Sequence, residues 1–371
     1  MKKFIHFLAV MMMCWGALHG QEQKQPAPQP RERQRIVSPE VREDRSVIFR
    51  ISAPQAKSVK VNLTPDAGTH DLARGEDGVW SVTVGPLAPE LYQYSYMIDG
   101  IHLAEPSLAY YQASGAPGRS LLEVPGNPPL LHQWRDVPHG VVRSQSYWSK
   151  PLNKLRHVTV ITPPGYDQNT GERYPVLYLL HGSGDREFGW VADGRANLIL
   201  DNLIAEKKCQ PMIIVMPDGH PVPPGTVGMT EAFPMFEKDL LDALIPFIGQ
   251  NYRVLADAPH RALAGLSMGG FQTSYIGLNH LDQFAWLGCF SGVAPQENVQ
   301  AALDAPAKIN AALRLFWIGV GRDDDITRNR SESMHEQLQK LGVKHEFQLT
   351  DGRHEWIVWR KYLADFLPKL F

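Results

Sequence analysis

The stretch that decides the fold reads Gly265-Leu266-Ser267-Met268-Gly269. A short apolar run, Ala262-Leu263-Ala264, precedes it, and the helix-compatible residues 270–275 follow. G-x-S-x-G between a strand and a helix is typical of a nucleophile elbow, a tight turn that exposes a serine hydroxyl beside a base. Side chains two residues before and after the serine would collide across that turn, so both positions favour glycine. A chance match in a chain with 31 glycines is the alternative, but the flanking strand and helix favour Ser267 as a nucleophile.

A serine nucleophile needs a general base, and on such a sheet the acid and then the histidine follow the serine in chain order. The downstream histidines His280, His335 and His345 fall at a helix end, on a polar helix face and inside an alternating strand pattern. His354 lies instead in the loop between the strand pattern 343–349 and an amphipathic stretch. Loops at the carboxyl ends of strands carry the chemistry of α/β sheets, so we predict His354 as the base.

The acid should lie on a similar loop between the serine and the histidine. Residues 315–320 predict a fully buried strand, and Gly321-Arg322-Asp323-Asp324-Asp325 follows at once. The acid would hold the imidazole tautomer and stabilise the imidazolium that forms when the serine loses its proton. Spacing alone does not choose among Asp323, Asp324 and Asp325.

An oxyanion hole is the remaining requirement. The apolar strand 176–180 ends in His181-Gly182-Ser183-Gly184-Asp185, a loop that can present backbone N–H groups without obstruction. One donor in this arrangement is the residue after the nucleophile, here Met268. We assign the second to Ser183, with Gly182 as the fallback. Losing one donor typically costs about 3–4 kcal/mol of transition-state stabilisation.

The N-terminal residues and the overall charge of the chain limit the partners and the location that we expect for the protein. Among 371 residues the net charge is −2, and without a basic stripe this disfavours a nucleic-acid partner. Met1-Lys2-Lys3 followed by apolar residues 4–18 predicts a signal peptide over 1–20 and export to the periplasm or the medium. No later run is long enough to span a bilayer, so we expect no stable membrane insertion.

The remaining chain divides into four predicted segments. Residues 21–35 are rich in Gln, Pro and charge and predict a disordered lead. Residues 36–124 show short alternating strands with turn signals, which favours a β-sandwich. Residues 125–138 open with Pro125-Gly126-Asn127-Pro128-Pro129 and predict a linker. In 139–371 strands alternate with helices, which predicts a mostly parallel sheet covered on both faces, the α/β-hydrolase fold.

These residues resemble a known family of esterases, carbohydrate esterase family one, which is related to esterase D and includes feruloyl and acetylxylan esterases. The resemblance covers nearly everything after the signal peptide. The motifs that carry it are Thr162-Pro163-Pro164-Gly165-Tyr166, Leu180-His181-Gly182-Ser183-Gly184, Met216-Pro217-Asp218-Gly219, Gly265-Leu266-Ser267-Met268-Gly269-Gly270 and Gly352-Arg353-His354-Glu355-Trp356.

The resemblance implies an acid three residues after a strand-ending glycine, which matches Gly321 and points to Asp324. The acidic neighbours of Asp324 depart from the family pattern, and Arg353 replaces the second glycine of the usual Gly-Gly-His loop. The N-terminal region resembles the immunoglobulin-like domain related to glycogen-binding modules, carried by Asp77-Gly78-Val79-Trp80, Leu91-Tyr92-Gln93-Tyr94 and Asp99-Gly100. This resemblance implies a domain and not a sugar affinity.

The family resemblance leads to one expected function. It is an exported serine esterase that removes an acyl group, feruloyl first, from a plant polysaccharide such as arabinoxylan, with no metal or organic cofactor. From the same loops we expect Trp190 to stack on an aromatic acyl group or a sugar, and Asn197 and Asp218 to line the cleft; ordinary packing is the alternative for Trp190.

Three other functions stay open. The same triad could serve an acetylxylan esterase or a siderophore trilactone esterase, although for the latter we see no basic cluster beyond Arg186, Arg195 and Arg353. A non-catalytic glycan-binding protein is the alternative of another class. The oligomeric state does not follow from the sequence.

Overall fold

Two groups of strands and a set of helices make up the structure. The computed structural model describes residues 36–65, 67–106 and 118–371, so the predicted signal peptide (1–20) and lead (21–35) lie outside the described residues. The strands of the first group are β1 (Glu40–Val41), β2 (Val47–Ser52), β3 (Val59–Thr64), β4 (Gly68–Asp71), β5 (Ala73–Arg74), β6 (Val79–Val84), β7 (Glu90–Ile98), β8 (Ile101–Leu103) and β9 (Ser120–Val124). Those of the second group are β10 (Val141–Ser149), β11 (Lys154–Thr162), β12 (Val176–Leu180), β13 (Ile213–Pro217), β14 (Arg261–Leu266), β15 (Trp286–Phe290), β16 (Leu315–Gly321) and β17 (Glu346–Thr350). The α-helices are α1 (Gly189–Ala192), α2 (Ala196–Ala205), α3 (Met229–Asp239), α4 (Ile245–Asn251), α5 (Met268–Asn279), α6 (Gln300–Leu303), α7 (Pro306–Ala312), α8 (Arg328–Lys340) and α9 (Trp356–Phe366), with a π-helical turn at Leu240–Leu244 between α3 and α4.

The first group forms two antiparallel sheets, which we call the β region. Their orders are β1-β2-β6-β5 and β4-β3-β7-β8, with β9 also paired to β7. Alternate residues of both sheets face one shared core, since side chains of β2, β3, β6, β7 and β9 belong to the same buried cluster. Tyr92, Tyr94 and Tyr96 share a face, as the period of two predicts, and are only 6%, 1% and 0% exposed. They are core residues and present no surface for sugar stacking.

The second group forms one eight-stranded sheet in the order β10-β11-β13-β12-β14-β15-β16-β17. The six strands from β12 to β17 are parallel, and β10 and β11 extend the sheet as antiparallel neighbours. One buried cluster joins the sheet to α2 and α9, and another joins its opposite face to α3, α4, α5 and α8. The predicted parallel sheet with helices on both faces is confirmed, and it brings the carboxyl ends of β12, β14, β16 and β17 to one edge.

The β region and the large sheet belong to one compact unit that runs from Ile36 to Phe371. The segment 125–138 is itself packed: the side chain of Asn202 on α2 donates to the carbonyls of Leu131 and Gln133, at 2.7 and 3.0 Å. These contacts do not define where a linker would begin or end, so the linker over 125–138 stays a prediction. None of the helices within the described ranges is both long enough and apolar enough to cross a bilayer.

Candidate active site

Ser267 occupies a strained turn between β14 and α5. Its backbone angles are φ 52° and ψ −116°, a conformation that costs a non-glycine residue about 1–3 kcal/mol. A Cβ at Gly265 would lie 2.6 Å from the carbonyl carbon of Gly269, and a Cβ at Gly269 would lie 2.6 Å from the carbonyl oxygen of Leu180. Both positions therefore need glycine, because a larger side chain would collide across the turn, as the motif predicts. A side chain at either position would also collide with Leu180 at the end of β12.

The three side chains proposed for a triad are in hydrogen-bonding contact. The Nε2 atom of His354 lies 2.8 Å from the Oγ atom of Ser267, and its Nδ1 atom lies 2.9 Å from Oδ2 of Asp324. Trp359 packs its ring edgewise on His354, with the centroids 4.9 Å apart. Strands β14, β16 and β17 each end immediately before the loop that carries one of the three side chains, so the parallel sheet itself brings them together.

Asp324 is the carboxylate of the acidic run that reaches the histidine. It is fully buried, whereas Asp323 and Asp325 are exposed. Its Oδ1 accepts the backbone N–H groups of Ile326 and Thr327 at 3.1 and 2.9 Å, and its Oδ2 accepts the Thr327 hydroxyl at 2.8 Å. Burial alone would raise the pKa of Asp324, but the contacts with His354 and Thr327 outweigh burial and lower this pKa. The side chain is therefore an ionised acceptor held in a fixed orientation.

The loop after β12 forms a wall beside the serine. Gly182 lies so close to the serine that a Cβ at Gly182 would be 3.4 Å from the Cβ of Ser267. Ser183, the next residue, lines the cavity that opens over Ser267. His181 is buried, with Nδ1 2.8 Å from the Gly182 carbonyl oxygen and Nε2 2.7 Å from the amide nitrogen of Gly219. Since Nε2 accepts that N–H, Nδ1 carries the ring proton and donates it to the carbonyl. Met268 begins α5, directly after Ser267.

A cavity of about 660 Å³ opens over Ser267 and His354. Its aromatic wall comes from Trp356 and Trp359 on α9, and its charged rim includes Asp185, Asp323 and Arg353. The β region contributes a further wall. The cavity thus offers an apolar surface next to the hydroxyl and polar groups around it.

Trp190 does not reach this cavity, which corrects the prediction that it stacks on substrate. It is 0% exposed, its indole N–H donates to the Leu180 carbonyl at 2.9 Å, and its ring lies edgewise on Trp356 at 5.2 Å. The aromatic residue that lines the cavity is Trp356, and Trp190 packs behind it.

Asn197 and Asp218, expected to line the cleft, also lie outside the residues that line this cavity. Asn197 is half-buried on α2, a helix that packs against α9. Asp218 turns inward, where it accepts the His220 backbone N–H at 2.9 Å and lies 3.8 Å from the Arg156 guanidinium. Neither side chain contributes to the lining of the cavity over Ser267, and their contact with substrate stays a prediction.

Two supporting residues were missed from the sequence. His181 orients the loop beside the serine, and its place directly after an apolar strand was the available signal. Thr327 fixes Asp324 through a contact three residues along the chain. Across residues 36–65, 67–106 and 118–371 no group of three His, Cys, Asp or Glu side chains is arranged to hold a metal ion.

The family model "Esterase", described as "Putative esterase", matches residues 149–370. The chain belongs to this esterase family. The matched segment contains all three contacting side chains and the loop after β12.

Individual relatives agree with this assignment. The chain is 36% identical over 334 residues to an endo-1,4-beta-xylanase/feruloyl esterase from Xylanibacter ruminicola, and the match covers 87% of this chain and 44% of that protein. A solved ferulic acid esterase is 28% identical, with a TM-score of 0.56, and the match covers 62% of this chain and 97% of that one. The enterobactin esterase of Shigella flexneri shares the fold at 20% identity and a TM-score of 0.61, covering 87% of this chain and 92% of that structure. The esterase chain thus spans less than half the length of its Xylanibacter relative.

Proposed function

We propose that this protein is an exported serine esterase that removes acyl groups, feruloyl first, from a plant polysaccharide such as arabinoxylan. The single observation that carries the proposal is the continuous contact from Ser267 through His354 to the buried, ionised Asp324. The similarity to a feruloyl esterase supports the choice of acyl group, and the apolar wall formed by Trp356 suits an aromatic one.

The mechanism follows from these contacts. The Ser267 hydroxyl attacks the ester carbonyl as Nε2 of His354 takes its proton, and Asp324 stabilises the imidazolium that forms. The alcohol leaves with the proton from His354. Water, activated by the same histidine, then releases the acid and restores the serine.

The negatively charged oxygen of the tetrahedral intermediate must accept hydrogen bonds from N–H groups. A donor on the loop after β12 must therefore point its N–H group into the cavity. In a trans peptide the C=O and the following N–H point in opposite directions. His181 holds the Gly182 carbonyl toward the interior, so the N–H of Ser183 in the same peptide faces the other way, toward the cavity. We therefore keep Ser183 and Met268 as the proposed donors, with His181 as a positioning residue.

Hydrolysis of a small chromogenic ester tests this function. Ser267→Ala should abolish release of p-nitrophenol from p-nitrophenyl acetate while the thermal unfolding midpoint stays close to that of wild type. Ser144→Ala, which changes an exposed serine on β10, is the matched control and should keep its activity. Retained turnover in Ser267→Ala would exclude Ser267 as the nucleophile, whereas a wild type that hydrolyses no ester would favour a glycan-binding role.

Acetylxylan and a catecholate siderophore trilactone are the other candidate substrates for the same site. The trilactone is favoured by one observation, the likeness to the enterobactin esterase, which extends over most of the chain. Three arginines line the cavity, Arg119, Arg353 and Arg360, and Arg360 is buried in an ion pair with Glu90. Comparing kcat/KM for ferulate, acetate and catecholate release from parallel esters distinguishes the three, and we expect ferulate to be preferred.

A further inference from the structure

The two proposed oxyanion donors lie on separate segments of the fold. Met268 begins α5, whereas Ser183 lies on the loop after β12. An oxyanion is stabilised fully only when both N–H groups are held at hydrogen-bonding distance from the same oxygen. The spacing between the two segments must therefore be fixed by contacts behind the cavity.

Three hydrogen bonds connect α5 to the loop after β12. The side-chain amide of Gln272 on α5 donates from Nε2 to the carbonyl of Gly219 at 2.9 Å. The N–H of Gly219 donates to Nε2 of His181 at 2.7 Å, and Nδ1 of His181 donates to the Gly182 carbonyl at 2.8 Å. That carbonyl belongs to the same peptide as the Ser183 N–H. We call Gln272, Gly219 and His181 the oxyanion bridge.

The oxyanion bridge is buried and closely packed. All three of its residues are buried, and none of them lines the catalytic cavity. A Cβ at Gly219 would lie 3.1 Å from Oε1 of Gln272 and 3.2 Å from Cε of Met268. The same Cβ would lie 3.5 Å from Nε2 of His181. Gly219 is thus in contact with both segments that carry the donors.

The Gln272 amide fits the oxyanion bridge in one orientation. If the amide were turned over, Oε1 would face the Gly219 carbonyl, and two acceptors would repel each other. In the observed orientation Oε1 is buried and has no hydrogen-bond partner within the part of the chain that the structure describes. A buried unpaired acceptor is unfavourable, so the amide does not gain stability from both of its polar atoms. The contact that it does make is the one with Gly219.

The segment 218–220, which carries the central glycine of the bridge, is held from its other side as well. The buried guanidinium of Arg156 on β11 donates to the carbonyls of Asp218 and His220. Its Nε also donates to the buried carboxylate of Asp239 at 3.1 Å. The segment is therefore a fixed support between α5 and the loop after β12.

We infer that Gln272 is a positioning residue for the reaction, because the oxyanion bridge sets the distance between the N–H groups of Met268 and Ser183. The inference rests on the proposed function and adds to it a residue that lies outside the cavity. A displaced donor loses more of its interaction with the charged oxygen of the transition state than with the neutral carbonyl of the substrate. Gln272 therefore contributes to kcat and not to KM.

The test measures ester hydrolysis by the full chain after Gln272→Met, which keeps the size of the side chain and removes the donor. We expect kcat for p-nitrophenyl acetate to fall about tenfold with KM within about twofold of wild type, since complete loss of one donor lowers kcat about 10²–10³-fold. The Ki of phenylboronic acid, whose tetrahedral adduct with a serine resembles the intermediate, should rise by a similar factor. Thr273→Val removes another buried hydrogen bond of α5, 2.7 Å to the Gly269 carbonyl, and should change none of these values.

A double variant tests whether the contacts act as one chain. His181→Ala should itself lower kcat, and adding Gln272→Met should lower kcat less than about twofold further, because the bridge is already broken. Losses that multiply would show that Gln272 acts by another route and would overturn the inference. A kcat for Gln272→Met within about twofold of wild type would overturn it as well.

Hydrogen exchange at Gly219 separates this inference from the proposed function. Mass spectrometry of a peptide that contains Gly219 should show about tenfold faster exchange of its amide in Gln272→Met and unchanged exchange in Thr273→Val. If wild type hydrolyses no ester but this exchange is faster, the proposed function fails while the bridge stands. An active wild type with unchanged exchange in Gln272→Met overturns the inference alone.

Discussion

Replacing Asp324 by asparagine is the most discriminating change at the proposed triad. Asparagine has the same shape as aspartate, but one of the two accepting oxygens is replaced by an NH2 group, which donates hydrogen bonds. Oδ1 of Asp324 accepts two backbone N–H groups, from Ile326 and Thr327, so the amide oxygen must take that position. The NH2 group then takes the place of Oδ2, which lies 2.9 Å from Nδ1 of His354.

This orientation forces the wrong tautomer on the histidine. An NH2 group facing Nδ1 requires that atom to be an acceptor, so the ring proton moves to Nε2. Nε2 then cannot take the proton of Ser267. In serine proteases the corresponding change lowers kcat about 10⁴-fold, equivalent to about 5 kcal/mol of activation free energy. We expect a loss of this size here because the backbone contacts prevent the amide from flipping.

The assay is kcat for p-nitrophenyl acetate, measured at the same pH for the wild type and the variants. Asp323→Asn removes the same charge from the exposed neighbouring residue and should reduce kcat far less. If Asp324→Asn keeps more than a tenth of the wild-type kcat, or if Asp323→Asn is the more damaging change, the assignment of the acid is incorrect.

Three further predictions concern the turn, the aromatic wall and the cavity rim. Gly269→Ala would place a Cβ 2.6 Å from the Leu180 carbonyl oxygen, so chemical denaturation should show a loss of about 1–3 kcal/mol in unfolding free energy; Gly249→Ala, on a helix with open space around it, should show no loss. Trp356→Ala should reduce kcat/KM for methyl ferulate about two- to tenfold more than for p-nitrophenyl acetate, since an aromatic contact is lost only with the first; equal losses would argue against stacking. Burial raises the pKa of Asp185 to about 6, above its value in the unfolded chain, so stability should fall as pH rises from about 4 to 6. Asp185→Asn should therefore raise the melting temperature at pH 8 more than at pH 4, and a larger effect at pH 4 would show that the pKa is not raised.

Much of the large sheet was predictable because its strands are continuous apolar runs. Residues 176–180 form β12 with the expected bounds, and residues 315–320 form β16 with one residue added. The predicted strand 343–349 starts only at Glu346, since residues 343–345 form an irregular connection between the turn after α8 and the strand. Strand β10 was not identified, because only two of its nine residues are buried at the sheet edge and it lacks an apolar pattern.

The candidate site was predictable where strand ends and motif spacing determine position. Ser267 and His354 each lie on a loop that directly follows a strand, and the parallel sheet brings such loops together. Choosing Asp324 over its two acidic neighbours needed either the family pattern or the structure, because the direction of each side chain depends on the turn and on Thr327. The inward direction of Trp190 and the part that the β region plays in the cavity depend on packing between distant segments, which spacing does not encode.

Covalent labelling tests the central claim most directly. After treatment with an organophosphate, peptide mass spectrometry should place the adduct on Ser267, with loss of esterase activity in proportion to labelling, and His354→Ala should label far more slowly. Complete loss of activity without an adduct on Ser267, or full activity in protein whose Ser267 is fully labelled, would contradict the account.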